Sequence, residues 1–314
     1  MELGRQLEAL CSEAKGTVVL VAPFAKAPII DRLFAQINPR VAIRCVTRWR
    51  PDEILSGVSD IEIWESIRAR KGAELWLHPS LHAKYYRVDD SCLVGSANLT
   101  ATALGYTPRP NLELLLSVPN NHPDLVGFEQ QIFKNAVRVT DEFYEYVQAT
   151  ISGLKSDFIK EKIIAFDLRP EPQNLIAPLV GAEAWLPTLR NPKDLYVVYS
   201  GRVYELTTAS QYAALLDLQE LDIPPGFSKK AFESCAAMVL LQKPMIQKID
   251  AFIAQPRRFG SVKEFLSKQA CADIEDFDPS IAWQTLMRWL LYFFKDRYKV
   301  EQTNYSEVFS KTYP

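Results

Sequence analysis

Residues 81–100 read LHAKYYRVDDSCLVGSANLT, and the organisation of the chain follows from how this stretch folds. Two short runs rich in aromatic and β-branched residues, Ala83 to Val88 and Cys92 to Gly95, flank an Asp-Asp pair, the pattern of two strands joined by a turn. Alternate residues of a strand share a face, so His82 and Lys84 project side by side while Ala83 turns into the sheet. The small residues of Gly95-Ser96-Ala97-Asn98 end the second strand and let Ser96 and Asn98 approach the same spot. An imidazole, an ammonium and an amide then converge, the set needed to attack a phosphodiester and hold its non-bridging oxygens.

Working outward, Thr17 to Ala22, Val41 to Thr47, Glu74 to His78 and Leu112 to Val118 also read as strands, several apolar on both faces. Ala27 to Ile37, Pro51 to Leu55 and Asp60 to Lys71 read as helices between them. The expected fold of this part is α/β, a central sheet covered on both sides. His122 to Leu154 reads as a long helical region entered through Asn and Pro. Pro170, Pro172 and Pro178 then mark a linker. The expected division is residues 1–155, a linker at 156–178 and a mainly α domain at 179–314. In that domain Leu195 to Leu206 (LYVVYSGRVYEL) reads as a β-hairpin around Ser200-Gly201. Ser210 to Glu220, Lys229 to Gln255, Val262 to Gln269 and Pro279 to Tyr298 read as helices.

The 314 residues carry 36 Lys+Arg against 38 Asp+Glu, a net charge of −2, which excludes a protein that coats nucleic acid by bulk electrostatics. A local basic cleft remains compatible, since Arg40, Arg44, Arg48 and Arg50 crowd one region near the front. The five cysteines have no CxxC pair and read as reduced, buried thiols. The start of the chain lacks the pattern of a secretory signal and no run of 18 apolar residues occurs, so a soluble, cytoplasmic protein with no membrane association is expected.

The pattern of His82, Lys84 and Asp89 followed by Gly95, Ser96 and Asn98 resembles the HKD motif of the phospholipase D superfamily, HxKxxxxD followed by GSxN. The gap from Asp89 to Gly95 is one residue shorter than usual. The resemblance covers roughly residues 15–150 and includes Ala22-Pro23-Phe24 and the Asn111 to Glu113 segment. It implies a phospholipase D-like sandwich with a central mixed sheet flanked by helices. It also implies that His82 attacks phosphorus and forms a phosphohistidine, with Lys84 and Asn98 on the phosphoryl oxygens and Ser96 supporting them. Glu113 resembles the acidic residue that family members place against the histidine Nδ1; the residue pattern alone also allows a solvent-facing strand glutamate. Asp89 reads as a brace for the turn between strands.

The mechanism implied by the resemblance needs two imidazoles, one as nucleophile and one as general acid for the leaving oxygen. Only one of the three histidines lies in an HxK, since His78 and His122 are not followed by lysine at the second position. The chain is in this respect similar to the single-motif bacterial nucleases of the superfamily, which build one composite site across a homodimer two-fold axis. A single motif therefore points to nucleic acid, DNA ahead of RNA, as substrate. Lys84 of each protomer takes the place of a divalent ion, and no cofactor or metal is expected.

For substrate contact, Arg48 and Arg50 in Thr47 to Glu53 (TRWRPDE) follow a strand end and could grip phosphate, although Arg50 could instead pack at the helix entrance and Trp49 in the core. Tyr86 shares the face of Lys84 and could line the cleft or fill the sheet core. Single-motif relatives with an added domain include a restriction endonuclease, which makes an anti-phage defence nuclease with a partner protein a further expectation. The competing readings are a lipid phosphodiesterase and a non-catalytic subunit that binds nucleic acid or a partner in a defence complex.

Overall fold

The computed structural model describes residues 3–161, 181, 183–303 and 306–312. The chain divides into two compact units, Met1–Ile151 and Ser152–Pro314. The linker expected at 156–178 is helical as far as Glu161, and the rest of it lies outside the described residues.

The first unit is built on seven strands: β1 (Thr17–Val21), β2 (Ala42–Thr47), β3 (Ala73–Leu77), β4 (Lys84–Val88), β5 (Ser91–Gly95), β6 (Leu115–Pro119) and β7 (Val137–Arg138). Their order is β6-β5-β4-β1-β2-β3-β7. The three strands β1, β2 and β3 run parallel, and the remaining pairings are antiparallel. This is the expected mixed sheet. The parallel strands need crossovers, and α2 (Ala27–Phe34) supplies one, with α3 (Pro51–Leu55) and α4 (Ile63–Arg68) in the next.

Four of the five residues of β1 are fully buried, as befits a central strand apolar on both faces. On one face Val19, Val21, Val46 and Tyr85 pack with Ile132 of α5 (Pro123–Asn135), which Phe128 and Phe133 extend. On the other lie Leu20 and Tyr86, cross-strand neighbours in the β1–β4 pairing, and α1 (Leu3–Ser12) buries Leu7 and Cys11. The helical region expected from His122 to Leu154 is two helices, α5 and α6 (Asp141–Glu161), because β7 interrupts it to pair with β3. All five cysteines are buried free thiols.

The second unit is mainly helical, with α7 (Asp194–Tyr199), α8 (Thr208–Leu221), α9 (Lys229–Leu240), α10 (Pro244–Phe252), α11 (Phe259–Leu266) and α12 (Pro279–Phe293). Its described strands are β8 (Arg257–Arg258), β9 (Tyr298–Thr303) and β10 (Ser306–Lys311), ordered β8-β10-β9. The hairpin expected at Leu195 to Leu206 is instead α7 followed by a single 3-10 turn, Val203–Glu205. Leu195 and Val198, three apart, are the buried positions, and Gly201 at φ +80° ends the helix where a side chain would be strained. The helix expected at Lys229 to Gln255 is broken by Pro244, which starts α10. No described helix is long and apolar enough to cross a membrane.

Candidate active site

The site lies where β1, β2 and β3 end, the edge of an open α/β sheet at which ligands bind. His82 sits just ahead of β4, and Lys84 opens that strand, paired with Gly95 of β5. Gly95 is in turn paired with Leu115 of β6, so one row across three strands carries the start of the site. Gly95 has to be glycine: a Cβ there would stand 1.9 Å from the Leu114 carbonyl oxygen. That close approach draws the 95–98 segment against β6, with the Ser96 N–H donating to Leu114 O at 2.9 Å and Leu114 N–H to Ser96 Oγ at 3.1 Å.

Beyond Ala97 the chain crosses to the end of β1. Leu99 bridges Ala25, its N–H donates to Phe24 O at 3.1 Å, and Lys26 N–H returns to Leu99 O at 3.0 Å. The Phe24 to Lys26 segment therefore fixes Leu99, the residue that follows Asn98. The Oδ1 atom of Asn98 is buried without a hydrogen-bond partner. Leaving such an atom unpaired costs about 1–3 kcal/mol.

Lys84 donates from Nζ to the His82 carbonyl oxygen at 2.7 Å, which ties the ammonium to the backbone of the imidazole-bearing residue. Burial holds the Lys84 ammonium below the usual lysine range, the Glu113 carboxylate opposes this, and the Arg48 guanidinium adds to it. His82 itself is exposed, and among the described residues its ring has no hydrogen-bond partner. A solvent-facing imidazole beside a fixed cation, with an amide near the same sheet edge, can attack a phosphoryl group whose oxygens the cation and amide hold.

The other expected site residues fall into two groups. Glu113 joins the site but does not touch His82: it accepts a short hydrogen bond from Ser96 Oγ and another from Asn111 Nδ2 at 3.1 Å. Within one chain, then, Glu113 orients Ser96, and the pairing with His82 Nδ1 is not made. Asp89 stands at the far end of β4 and is no part of the site. Its carboxylate accepts the N–H groups of Lys15, Gly16 and Thr17 at 2.7, 2.9 and 2.8 Å, clasping the entry to β1 while its own backbone takes φ +48°. This is a brace, placed on β1 as well as on the turn.

Tyr86 does not line a cleft. It is fully buried and donates from its hydroxyl to Ala97 O at 2.5 Å, so it holds the Gly95 to Asn98 segment from beneath. Arg48 is committed inward, donating to both oxygens of Glu53 and, from Nη1, to Leu81 O at 2.9 Å. Arg48 therefore positions the residue before His82 and is not free to grip substrate. Arg50 packs at the entrance of α3, 3.3 Å from Asp52, and Trp49 is buried against Phe143. The basic cluster is dispersed, for Arg44 pairs with Glu129 beneath α5 at 3.4 Å.

Glu53 was not singled out by sequence and is the hidden member of the site: a nearly buried carboxylate, pushed up by burial and pulled back by Arg48. The Arg-x-x-x-x-Glu spacing across Pro51 was its only signal. Neither of the other two histidines stands in an HxK. His78, just past the end of β3, is held toward its neutral form by burial, with Nδ1 enclosed and unpartnered, and His122 lies at the start of α5, 3.7 Å from Asp124. Among the described residues no group of three or more His, Cys, Asp or Glu side chains could hold a metal ion.

Residues 7–136 match the family described as "Cardiolipin synthase, PLD-like domain". No curated protein matches the chain. Among solved structures, NucT from Helicobacter pylori is 16% identical over 43% of this chain and 89% of its own, with a TM-score of 0.36. Phosphatidylserine synthase from Haemophilus influenzae Rd KW20 is 16% identical over 50% of this chain and 42% of its own, with a TM-score of 0.39. The archaeal chromatin protein TrmBL2 is 13% identical over 44% and 51%, with a TM-score of 0.31. The family match over residues 7–136, with the HxK lip and the Gly-Ser-x-Asn turn inside it, means that the N-terminal unit of this chain belongs to the phospholipase D-like superfamily.

Proposed function

We propose that the protein is a metal-independent nuclease whose active site is completed by a second copy of the chain. The observation that carries this reading is that one imidazole, the exposed His82, stands in an HxK setting, whereas neither His78 nor His122 has a lysine two residues on. In the proposed reaction His82 Nε2 attacks the phosphorus of a nucleic acid phosphodiester. A P–N bond forms, the P–O bond to one sugar breaks, and the leaving oxygen takes a proton from His82 of the other protomer. Water, deprotonated by that same imidazole, then cleaves the P–N bond and regenerates the nucleophile. Lys84 and Asn98 of both copies hold the non-bridging oxygens throughout.

The edge of the sheet supports a partner copy. Leu112, Leu114 and Leu116 alternate along and just before β6, all exposed, Leu112 completely so, on an edge strand adjoining Glu113 and Ser96. An apolar, unpaired strand edge next to a half-complete site is a surface suited to pairing. The same three leucines favour a second reading, contact with a lipid surface by a lipid phosphodiesterase.

A panel of labelled single- and double-stranded DNA and RNA, and phospholipid vesicles, incubated in EDTA with protein of measured solution mass, tests both. Cleavage of nucleic acid by a dimer, abolished by His82→Ala, is expected. Turnover of phospholipid alone selects the lipid reading. Activity that needs magnesium, or that survives His82→Ala, refutes the mechanism.

A further inference from the structure

The second unit contains an arrangement that the cleavage chemistry does not use. From Pro244 onward the chain runs helix α10, strand β8, helices α11 and α12, then the hairpin β9–β10. Both strand pairings are antiparallel and β10 lies in the middle. Asp250 of α10 locks the two ends of this segment together. Its carboxylate accepts from Arg297 at 3.0 Å, Tyr298 at 2.5 Å and Lys311 at 2.7 Å, one donor before β9 and one on each hairpin strand. Phe252 stacks on Phe265 of α11 at 4.2 Å, and Trp283 of α12 meets Phe309 of β10 edge-on at 5.1 Å. Three helices around a small sheet that ends in a hairpin make the winged form of the helix-turn-helix, in which the last helix is the one presented outward.

We propose that residues 244–312 bind duplex DNA, with α12 laid in the major groove. One face of α12 is spent on the core, where Trp283, Leu286, Trp289 and Leu290 are buried. The stripe opposite carries Ser280, Gln284 and Arg288 at four-residue spacing, the last two exposed. Glutamine and arginine are the side chains that meet adenine and guanine edges with paired hydrogen bonds, and serine serves either base. Among the described residues Arg288 makes no ion pair that would hold it away from such a contact. Arg258, exposed at the entrance of α11, and Lys263 on that helix stand where the preceding helix of such a motif crosses the phosphate backbone.

The connection between α11 and α12 gives the surface an unusual bias. It exposes Asp273, Glu275, Asp276 and Asp278, and Asp278 already answers the α12 N-terminus by accepting from the N–H groups of Ser280 and Ile281 at 2.7 and 3.2 Å. Carboxylates there repel phosphate, so binding to arbitrary duplex is held weak and base contacts carry a larger share of the total. The surface is a reader with its bulk electrostatic grip turned down.

The test uses the full chain carrying His82→Ala, and it reads binding, so its outcome is independent of whether the first unit cleaves nucleic acid. A randomised 30-base-pair duplex pool is selected on this protein, and affinities for the enriched and a scrambled duplex are measured by fluorescence anisotropy at two salt concentrations. An enriched sequence is expected. Arg288→Ala is expected to weaken binding to it roughly tenfold or more, the scale of one lost paired base contact, and Arg288→Lys not to restore it. The double change Glu275→Gln with Asp276→Asn is expected to tighten the scrambled duplex several-fold at low salt. Melting curves matching the parent show that the variants fold. The proposal is overturned if no sequence is enriched, if Gln284→Ala and Arg288→Ala bind as the parent does, or if single-stranded RNA binds as tightly as duplex DNA.

Discussion

Replacing Asp89 separates a brace from a catalytic carboxylate, two roles that its place in the motif does not distinguish. In the structure the side chain accepts three backbone N–H groups, from Lys15, Gly16 and Thr17, at 2.7–2.9 Å. Charge-assisted bonds contribute about 1.5–3 kcal/mol each when enclosed, but this cluster lies at the solvent edge, where water replaces much of the loss, so about 1 kcal/mol each is the discounted figure. Alanine at φ +48° adds about 1 kcal/mol of left-handed strain. Asp89→Ala should therefore destabilise the first unit by about 4 kcal/mol, Asp89→Gly by about 1 less because glycine accepts the conformation. Asp89→Asn should cost least, since it keeps an acceptor oxygen and tolerates the left-handed region.

Burial pushes the Asp89 carboxyl up, but the N–H groups of Lys15, Thr17 and Gly16 pull it further down, below the usual aspartate range. A depressed carboxyl stabilises fully above its unfolded pKa of about 3.9, and that contribution is lost as pH falls through the folded value. The parent should therefore lose stability below about pH 4 by a component missing in Asp89→Asn. Hydrogen exchange of the β1 and β4 amides, which reports opening of this unit alone, gives the stabilities, and turnover per folded molecule gives the chemistry. A fully stable Asp89→Ala with turnover reduced more than about tenfold (about 1.4 kcal/mol of barrier) would refute the brace and return Asp89 to the reaction.

Gly95→Ala places a methyl 1.9 Å from the Leu114 carbonyl oxygen and must separate β5 from β6, a loss of about 2–4 kcal/mol; exchange protection of β6 should fall first, and intact protection would contradict the close approach. In the second unit, burial pushes the Asp217 carboxyl up to about 7 against the N–H groups of Leu189 and Thr188 that it accepts. A raised carboxyl stabilises most below its unfolded value and loses that contribution as pH rises through the folded one. Denaturation of this unit should thus come more easily at pH 8 than at pH 5, and Asp217→Asn should flatten the difference; a parent equally stable at both pH values would sink the assignment.

The first unit was largely legible because its strands announce themselves: Val18, Val19 and Val21 of β1 and Tyr85, Tyr86 and Val88 of β4 are β-branched or aromatic and buried where the pattern requires. His82, Lys84, Gly95, Ser96 and Asn98 could be brought together on paper because a single strand pair joins them. What could not be read was which polar groups would satisfy one another. Arg48 looked like a free cation until Glu53 and the Leu81 carbonyl claimed it, and Tyr86 shared the face of Lys84 but lay deeper in the sheet. These outcomes depend on depth below the surface, which alternation along a strand does not encode. In the second unit the Tyr- and Val-rich run at Leu195 to Tyr199 favoured a strand by local propensity, and packing of Leu195 and Val198 overrode it. The β9–β10 hairpin is masked in the sequence because the apolar period of α12 runs on past Phe294 into Tyr298.

Every residue proposed for the chemistry, from His82 to Glu113, comes from one meander, β4 to β5 to β6, in which each strand pairs with its sequence neighbour. The β4–β5 turn is only Asp89-Asp90, and the longer 96–114 connection to β6 adds little more, because closure entropy grows only with the logarithm of loop length, so the meander can form early in folding. It is β1 that must be recruited from far away, through pairings such as Val18 with Val88. The Asp89 clasp falls at that long-range junction, which makes it a candidate for the slow step by which a locally assembled catalytic ribbon is fastened to its scaffold.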